Sequence, residues 1–281
     1  MFLTIAEIDN FIKEDVPYID LTSHILGIKE QAAEITYFTR RDAVVCGTEE
    51  VSMIFRRLNI KTENLTPSGT FVKAGAELIS GVGRGDNINT AWKVGQNILD
   101  SCSGIATKTR TMVNMVRAVN PNISVLTTRK IFPGTKSLAV KSAMAGGAMP
   151  HRLGLSETVL IFKQHIDFIG GFQALLTELP SLKAKSSGKK ILVETSDFEE
   201  ARLLCEKGIC GIQFDKVKAA DLKKIMKELK KDYPYVILLA TGGINLENAA
   251  EYAETGVDGL VTTNLYHAPP VDIGVKINAI Q

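Results

Sequence analysis

The spacing of hydrophobic and polar positions changes character after roughly the first 90 residues. Before that point, Thr4 and Glu7 form a capping-box pattern that predicts a short helix over 5–13, and apolar positions at helical spacing predict another over 49–58. Broken alternation over 28–47 is typical of strands. The first part of the chain is therefore predicted to be a small α+β module.

From residue 123 onward, short apolar runs alternate with polar segments long enough for helices. This rhythm predicts successive βα units, and hence a parallel sheet with helices outside it. The units occupy only about 160 residues, against roughly 250 for a complete eightfold barrel, so a short or incomplete barrel fits better. A doubly wound sheet fits less well because no GxGxxG sequence follows the first strand. The predicted strands are Ser124–Thr127, Val159–Phe162, Ile191–Glu194, Gly211–Phe214, Val236–Ala240 and Gly259–Val261.

Composition narrows the class of protein. The chain has 281 residues, of which 45% are hydrophobic and 23% charged, which is ordinary for a soluble globular protein with a large and a smaller domain. Charged residues among the first 20 argue against a signal peptide or membrane span, and the net charge of +2 argues against a general nucleic-acid binder. Scattered cysteines without a CxxC pair indicate reduced thiols in a cytoplasmic protein that lacks a zinc site; they are Cys46, Cys102, Cys205 and Cys210.

The charge is unevenly distributed. No Asp or Glu occurs from Ser101 to Ser156, so that span carries +8 while the rest of the chain sums to −6. Cations without acids among them need anions from elsewhere, which predicts a multiply charged ligand; a solvated basic face is the alternative. Lys136 and Lys141 are either solvated or reach a neighbouring subunit. The cations of the span are Lys108, Arg110, Arg117, Arg129, Lys130, Lys136, Lys141 and Arg152.

The carboxyl ends of the predicted barrel strands carry the candidate chemistry, because barrels place their active sites there. Glu194 and Asp215 each end an apolar strand. A strand-end carboxylate that faces a basic pocket can hold Mg²⁺ through water or bind a sugar hydroxyl, and pairing with a nearby Lys or Arg is the alternative for each. The cationic candidates at strand ends are Arg129, Lys130, Lys163 and His165.

A glycine pair follows another of the predicted strands. Thr241, Gly242 and Gly243 come directly after the apolar run that ends at Ala240, and a helix is predicted over 246–254. Glycines there allow backbone N–H groups and the helix N-terminus to approach an oxyanion. The segment therefore predicts a phosphate site, with a plain βα turn as the alternative.

Taken in order, the motifs of this chain resemble those of the quinolinate phosphoribosyltransferase family, the nicotinate-nucleotide pyrophosphorylases. The resemblance implies an α/β protein in which an open six- or seven-stranded α/β barrel over 101–267 follows an N-terminal α/β sandwich domain over 1–100, completed by 268–281. It also implies a homodimer with shared active sites, or a higher oligomer. The matching motifs are DLT at Asp20–Thr22, SGIAT at Ser103–Thr107, TRK at Thr128–Lys130, GG with HRLGL within Gly146–Leu155, VLI with a following His at Val159–His165, VET at Val193–Thr195, the strand-end Asp215, TGGI at Thr241–Ile244, GVDG at Gly256–Gly259 and DIG at Asp272–Gly274.

The resemblance also implies a reaction, the displacement of pyrophosphate from phosphoribosyl pyrophosphate by a ring nitrogen, with Mg²⁺ as cofactor. Its transition state is a ribosyl cation with a departing pyrophosphate, so cations belong on the leaving group. Lys130, Glu194 and Asp215 are then catalytic, and the two carboxylates hold ribose hydroxyls and the metal, directly or through water. The implied substrate-binding residues are Lys93, Arg129, Lys130, His151, Arg152, Lys163 and His165, and the implied phosphate-binding residues are Thr241, Gly242, Gly243, Thr262 and Thr263.

Departures from the family pattern concentrate on the side that would bind the acceptor. Trp92-Lys93 stands where the family has Glu-Arg, and Leu239 stands where it has Glu. The family's Lys-Asp-Asn-His is Phe162-Lys163-Gln164-His165 here, and in a strand a shift by one residue reverses the face of the sheet that a side chain occupies. These changes resemble those of the ModD branch of the family, which accompanies molybdate transport genes.

Three functions follow as expectations. The first is a ModD-like phosphoribosyltransferase linked to molybdate transport, acting on small anionic substrates that include a nitrogen-containing acceptor. The second is a true quinolinate phosphoribosyltransferase of NAD biosynthesis. The third is a non-catalytic protein that binds an oxyanion such as molybdate. The presence of both Glu194 and Asp215 favours an enzyme, because an oxyanion carrier has no use for carboxylates in its pocket.

Overall fold

A computed structural model describes residues 3–280, which form an α/β fold. In chain order, the first elements are α1 (Ile5–Asp15), α2 (Leu21–Leu26), β1 (Ala32–Thr39), β2 (Ala43–Val44), α3 (Thr48–Arg57), β3 (Lys61–Leu65), β4 (Phe71–Val72), β5 (Glu77–Arg84), α4 (Gly85–Val119), β6 (Ser124–Thr127), α5 (Lys136–Gly146) and β7 (Met149–Pro150). The later elements are β8 (Val159–Ile161), α6 (Lys163–Phe168), α7 (Phe172–Ser186), β9 (Ile191–Thr195), α8 (Phe198–Glu206), β10 (Gly211–Asp215), α9 (Ala219–Asp232), β11 (Ile237–Thr241), α10 (Ala249–Ala253), β12 (Gly259–Thr262), a turn of 3₁₀ helix (Asn264–Tyr266) and β13 (Ile273–Ala279).

The chain divides into two compact units. Unit 1 comprises Met1–Thr111, Phe132–Gly147 and Tyr266–Gln281, and unit 2 comprises Met112–Ile131 and Ala148–Leu265. Both units are therefore assembled from segments that are distant in sequence. No helix within residues 3–280 is long and apolar enough to cross a membrane.

Unit 1 is built on an antiparallel sheet with the strand order β13-β1-β5-β3. Alternate side chains of β1 are buried, as expected for a strand with one face on a core. Tyr37 of that strand packs against Phe55 of α3, with ring centroids 6.2 Å apart, and its hydroxyl donates to the carbonyl of Ala91 at 2.8 Å. The structure confirms the α/β sandwich, and strand β13 pairs with β1 at the edge of its sheet.

Unit 2 is built on a seven-stranded sheet with the order β7-β6-β12-β11-β10-β9-β8, in which every neighbouring pair is parallel. Strands β7 and β8 are the two edges, so the sheet does not close on itself. Helices connect successive strands from β8 to β12, as a chain of βα units requires. The predicted open barrel is confirmed, in its seven-stranded form.

Candidate active site

One face of the parallel sheet changes from apolar to acidic towards the carboxyl ends of its strands. Glu194 of β9 pairs in register with Gln213 of β10, and Asp215 lies two residues further along on the same face. Leu192 shares that face two residues before Glu194, and Leu239 of β11 pairs with Gln213. Both leucines belong to a buried apolar cluster. The two carboxylates predicted from the sequence therefore stand together above an apolar floor.

The surroundings of Glu194 raise the pKa of its carboxyl group above the usual value. Burial raises the pKa of its carboxyl group, the hydrogen bond from Gln213 Nε2 at 2.6 Å lowers it, and the charge of Asp215 raises it again. Lys130 and Lys216 act in the opposite direction without reversing the net upward shift of the pKa. The charge of Lys130 therefore acts on Glu194, and the catalytic role of both residues stays a prediction.

The turn after β11 fits closely against Asp215. A Cβ atom on Gly242 would lie 2.6 Å from Asp215 Oδ1 and 2.8 Å from the amide nitrogen of Lys216, and the φ angle of Gly242 is +90°. Gly243 has a φ of +74°, and a Cβ atom there would meet no atom within 4 Å. Within residues 3–280, the N–H groups of Gly243 and Ile244 donate no hydrogen bond. The turn thus offers free backbone donors beside a carboxylate.

The helix behind this turn is shorter than the sequence predicted. A helix was expected over 246–254, but α10 begins at Ala249 and has only five residues. Asn245 and Asn248 form a tight turn instead, in which each side-chain oxygen accepts a hydrogen bond from the other residue's N–H group, at 2.9 and 3.3 Å. The expected contribution of a helix N-terminus to an oxyanion site is therefore wrong, and the N–H groups of the glycine turn are the donors that remain.

The two threonines predicted to bind phosphate are engaged inside unit 2. The buried Thr262 donates its hydroxyl to the carbonyl of Ile244 at 2.6 Å and accepts from the N–H of Asn264 at 3.0 Å. Thr263 Oγ1 lies 2.8 Å from Thr128 Oγ1. Thr262 therefore holds β12 against the glycine turn, and Thr263 holds the segment that carries Arg129.

Arg129 and His151 both lie close enough to Arg152 in unit 2 for charge to act between them, and Lys130 follows Arg129 in the chain. These four predicted cations are called the cation cluster. Burial and then the charge of Arg129 lower the pKa of Arg152, and burial and then the charge of Arg152 lower the pKa of His151. Arg129 and Lys130 are exposed, and neither forms an ion pair with any residue in the range 3–280. Repulsion among these cations would be relieved by a bound anion, so the anion site that the charge pattern predicts stays a prediction.

Lys163 and His165 have partners of their own. The side chain of Lys163 is 80% exposed, and its Nζ lies 2.8 Å from both carboxylate oxygens of Asp167 on α6. His165 Nδ1 accepts a hydrogen bond from the N–H of Phe162 at 3.0 Å. Phe162 packs against the apolar cluster, with the guanidinium group of Arg152 6.0 Å from its ring centroid. The aromatic ring therefore occupies the sheet face of Glu194, whereas Lys163 is tied to its own helix.

Lys93, the remaining substrate-binding candidate, belongs to unit 1. It lies on α4, where its Nζ donates to Gln96 Oε1 at 3.2 Å and stands 4.6 Å from the ring centroid of Trp92. Both Trp92 and Lys93 are exposed. The adjacent indole and ammonium groups thus form a cation–π pair on the surface of the helix.

Several cations of the acid-free span bind groups elsewhere in unit 1. Lys141 Nζ lies 2.8 Å from a carboxylate oxygen of Glu49 and 2.5 Å from one of Glu50. Both alternatives expected for Lys141, a solvated side chain or a contact with a neighbouring subunit, are therefore wrong, because α3 supplies its counter-ions. Lys108 and Arg110 donate to backbone carbonyls. Lys141 is therefore neutralised by carboxylates of unit 1, whereas Lys108 and Arg110 are held by hydrogen bonds to uncharged groups.

Gln213 was not identified from the sequence. It is only 4% exposed, lies in a strand that is otherwise apolar up to Asp215, and donates to Glu194. A single amide in the motif GIQFD, two residues before a strand-end carboxylate and hence on its face, is the signal that could have revealed it.

The carboxylates suit a magnesium ion that arrives with a phosphorylated substrate. Within residues 3–280, no group of three or more His, Cys, Asp or Glu residues could hold a metal ion by itself. Glu194 and Asp215 are close enough for the charge of one to raise the pKa of the other. Mg²⁺ commonly binds through one or two carboxylates together with waters and substrate phosphates, so the pair fits this ion without further protein ligands.

Family models match almost the whole chain. The model described as Quinolinate phosphoribosyl transferase, N-terminal domain, matches residues 20–103, and that of the C-terminal domain matches residues 105–276. The chain therefore belongs to the quinolinate phosphoribosyl transferase family. The family is one of pentosyltransferases, which confirms the expected enzyme class.

Individual relatives cover nearly the full length. The chain is 33% identical over 280 residues to the ModD protein of Pasteurella multocida, covering 99% of this chain and 98% of that protein. It is 35% identical over 245 residues to the ModD protein of Rhodobacter capsulatus, covering 87% and 94%. The solved nicotinate-nucleotide pyrophosphorylase of Ehrlichia chaffeensis superposes with a TM-score of 0.89 at 24% identity over 99% of this chain and 100% of that one, which confirms the fold.

Proposed function

We propose that this phosphoribosyltransferase transfers the phosphoribosyl group of phosphoribosyl pyrophosphate to a ring nitrogen of an anionic acceptor, with release of pyrophosphate and with Mg²⁺ as cofactor. One observation carries the proposal. A carboxylate pair, a glycine turn with free N–H groups and an unpaired cation cluster all belong to the carboxyl-end edge of one parallel sheet. A donor with a phosphate, two sugar hydroxyls and a diphosphate requires these three kinds of group.

The ribose 5-phosphate part of the donor would be bound by the glycine turn and by the ends of strands β9 and β10. The N–H groups of Gly243 and Ile244 would donate to the 5′-phosphate, because the open space at Gly243 and the tight turn at Gly242 allow an oxyanion to approach the backbone. Glu194 and Asp215 would accept hydrogen bonds from the ribose hydroxyls. Their negative charge would also stabilise the positive charge that develops on the ribose ring as the bond to pyrophosphate breaks.

The leaving group would lie against the cations. Within residues 3–280, neither Arg129 nor Lys130 forms an ion pair, so both can neutralise the negative charge that grows on the departing diphosphate. Mg²⁺, when bound, would supply further neutralisation of the same oxygens, with Glu194 and Asp215 as its protein ligands. Lys130, which acts on Glu194 electrostatically, would connect the carboxylates that bind the ribose with the cations that bind the diphosphate.

The residues that would bind the acceptor favour a ModD-like enzyme over a quinolinate enzyme. The ring of Phe162 occupies the face of the sheet where the family pattern has a cation, and Lys163 is paired with Asp167. An acceptor with two carboxylates would therefore lack one of its counter-charges, and Arg152 beside Phe162 suits a planar ring with a single anionic group. Identity to ModD pyrophosphorylases over most of the chain supports the ModD-like branch, and the link to molybdate transport is part of the proposal.

We also propose that the protein is a homodimer with shared active sites. Exposed apolar side chains cluster in and just before α2, with Tyr18 93%, Ile25 72% and Leu26 66% exposed. Such a cluster is typical of a surface that is covered by another protein. Light scattering would give the dimer mass, and charged residues in place of Ile25 and Leu26 would give a monomer.

Pyrophosphate release tests the proposal. The enzyme, phosphoribosyl pyrophosphate and Mg²⁺ should release pyrophosphate when a nitrogen-containing anionic acceptor is supplied, and Asp215→Asn should abolish release. Asp221→Asn, a change of an exposed surface carboxylate on α9, should leave it intact. Formation of nicotinate mononucleotide from quinolinate would identify the quinolinate enzyme instead. Molybdate binding that weakens in Arg129→Ala, with no binding of the donor, would identify an oxyanion carrier.

A further inference from the structure

Gln213 places a polar side chain in the interior of unit 2. It is 4% exposed in a strand where the residues that precede it, Gly211 and Ile212, are buried. Its register partner on one side is Glu194, and its partner on the other side is Leu239, which has no hydrogen-bond donor in its side chain. The carboxamide is therefore held between a carboxylate and an apolar wall.

Only half of this carboxamide is satisfied. Nε2 donates to Glu194 Oε2 at 2.6 Å, whereas Oε1 is buried and has no hydrogen-bond partner within residues 3–280. A buried acceptor without a partner costs free energy, and an apolar side chain of similar length would avoid that cost. Gln213 therefore contributes little to the stability of the sheet. The hydrogen bond that its side chain forms within residues 3–280 is with Glu194.

That contact fixes the orientation of a flexible carboxylate. With Oε2 occupied by Gln213, rotation of the Glu194 carboxylate is restricted and its second oxygen remains for a ligand. We propose that Gln213 is a positioning residue, which orients Glu194 to receive a ribose hydroxyl of the phosphoribosyl donor. The inference rests on the function proposed above and adds a residue to it.

Calorimetric titrations separate positioning from a structural role. In Gln213→Met, with Mg²⁺ present, phosphoribosyl pyrophosphate and ribose 5-phosphate should bind about tenfold more weakly than in the wild type, because both present ribose hydroxyls. Inorganic pyrophosphate, which has no sugar and is titrated without Mg²⁺ so that Glu194 takes no part in its binding, should bind with unchanged affinity. The melting temperature should stay within about 3 °C of the wild type, since the lost hydrogen bond and the removed unsatisfied acceptor offset each other.

Two further variants complete the test. Gln213→Asn retains an amide that is too short to reach Glu194, so it should show the same selective loss even if the methionine variant does not fold. Gln173→Met, on the exposed start of α7, should bind all three ligands normally. Two results would overturn this inference but not the proposed function. In one, Gln213→Met binds the donor as tightly as the wild type; in the other, its affinity for pyrophosphate falls by the same factor as its affinity for the donor. A wild-type protein that binds neither sugar ligand would instead refute the proposed function and the inference with it.

Discussion

Asp215 and Gly242 lie so close together that a Cβ atom on the glycine would fall 2.6 Å from Asp215 Oδ1. This contact joins the end of β10 to the turn after β11, which are neighbouring parallel strands. It brings a carboxylate that suits a sugar hydroxyl next to backbone N–H groups that suit a phosphate. A sugar phosphate is the simplest ligand that uses both.

Replacement of Gly242 by alanine tests that contact. We expect Gly242→Ala to weaken the binding of phosphoribosyl pyrophosphate at least about tenfold and to destabilise the protein by roughly 1–3 kcal/mol, since the new methyl group collides with Asp215 and φ is positive. Gly188→Ala is the control, because Gly188 has a φ of +77° but no atom within 4 Å of a Cβ. Binding that is equally intact in both variants would show that the close approach is unimportant.

Arg129 is expected to bind the diphosphate. Arg129→Ala should weaken the binding of inorganic pyrophosphate about tenfold, and the dependence of that binding on salt should become shallower, because one charge contact is lost. Arg202→Ala, which removes an exposed arginine paired with Glu199 and Glu206, should have no effect on pyrophosphate binding. A loss of the same size in both variants would indicate a general charge effect instead of a site.

Lys141 is expected to matter for folding. Lys141→Met would leave the carboxylate of Glu50, only 4% exposed, without its counter-ion, and should lower the free energy of unfolding by roughly 3–5 kcal/mol. Lys224→Met, which breaks an exposed pair with Asp221, should change it by less than about 1 kcal/mol. Urea denaturation measures both, and similar values for the two variants would contradict the assignment of Lys141 to a buried ion cluster.

The same cluster should make stability depend on pH. Burial would raise the pKa of Glu49, but hydrogen bonds from Lys141 and Ser68 outweigh it and lower the pKa to about 2. A carboxyl group whose pKa is lower in the folded state stabilises the fold above its unfolded value of about 4.3, and this contribution is lost as the pH falls towards 2.

Glu49→Gln removes that contribution. The difference in unfolding free energy between wild type and Glu49→Gln should be about 1 kcal/mol near neutral pH, after allowance for solvent screening of a half-exposed group, and should shrink as the pH is lowered from about 5 to about 2. Denaturation curves at several pH values measure it. A difference that stays constant or grows on acidification would contradict the lowered pKa.

Much of the fold follows from hydrophobic patterning, and the exceptions have local causes. Six of the seven parallel strands coincide with short apolar runs that are visible in the sequence, whereas β7, Met149–Pro150, has two residues and no pattern to detect. Helix α10 was predicted too long because Leu246 and its neighbours have helical spacing, while Asn245 and Asn248 bond to each other's backbone and delay the helix.

The site could be predicted in part. The strand-end position of Asp215 follows from its place after an apolar run, but the role of a buried amide such as Gln213 requires knowledge of which strand lies beside it. The pairing of Lys141 joins residues 91 positions apart, so no local pattern contains it. Lys163 was predicted to belong to the site because it follows a strand. Its ion pair with Asp167, one helical turn later, could not be predicted without knowing that α6 begins at Lys163.

Binding of the donor tests the central claim most directly, because it requires no knowledge of the acceptor. Calorimetry with phosphoribosyl pyrophosphate and Mg²⁺ should give a Kd on the order of 10–100 µM for the wild-type protein. Removal of Mg²⁺ with a chelator, or the substitution Asp215→Asn, should each weaken binding at least about tenfold. No binding in the presence of Mg²⁺, or binding that neither change affects, would contradict the assignment of this site to a phosphoribosyl donor.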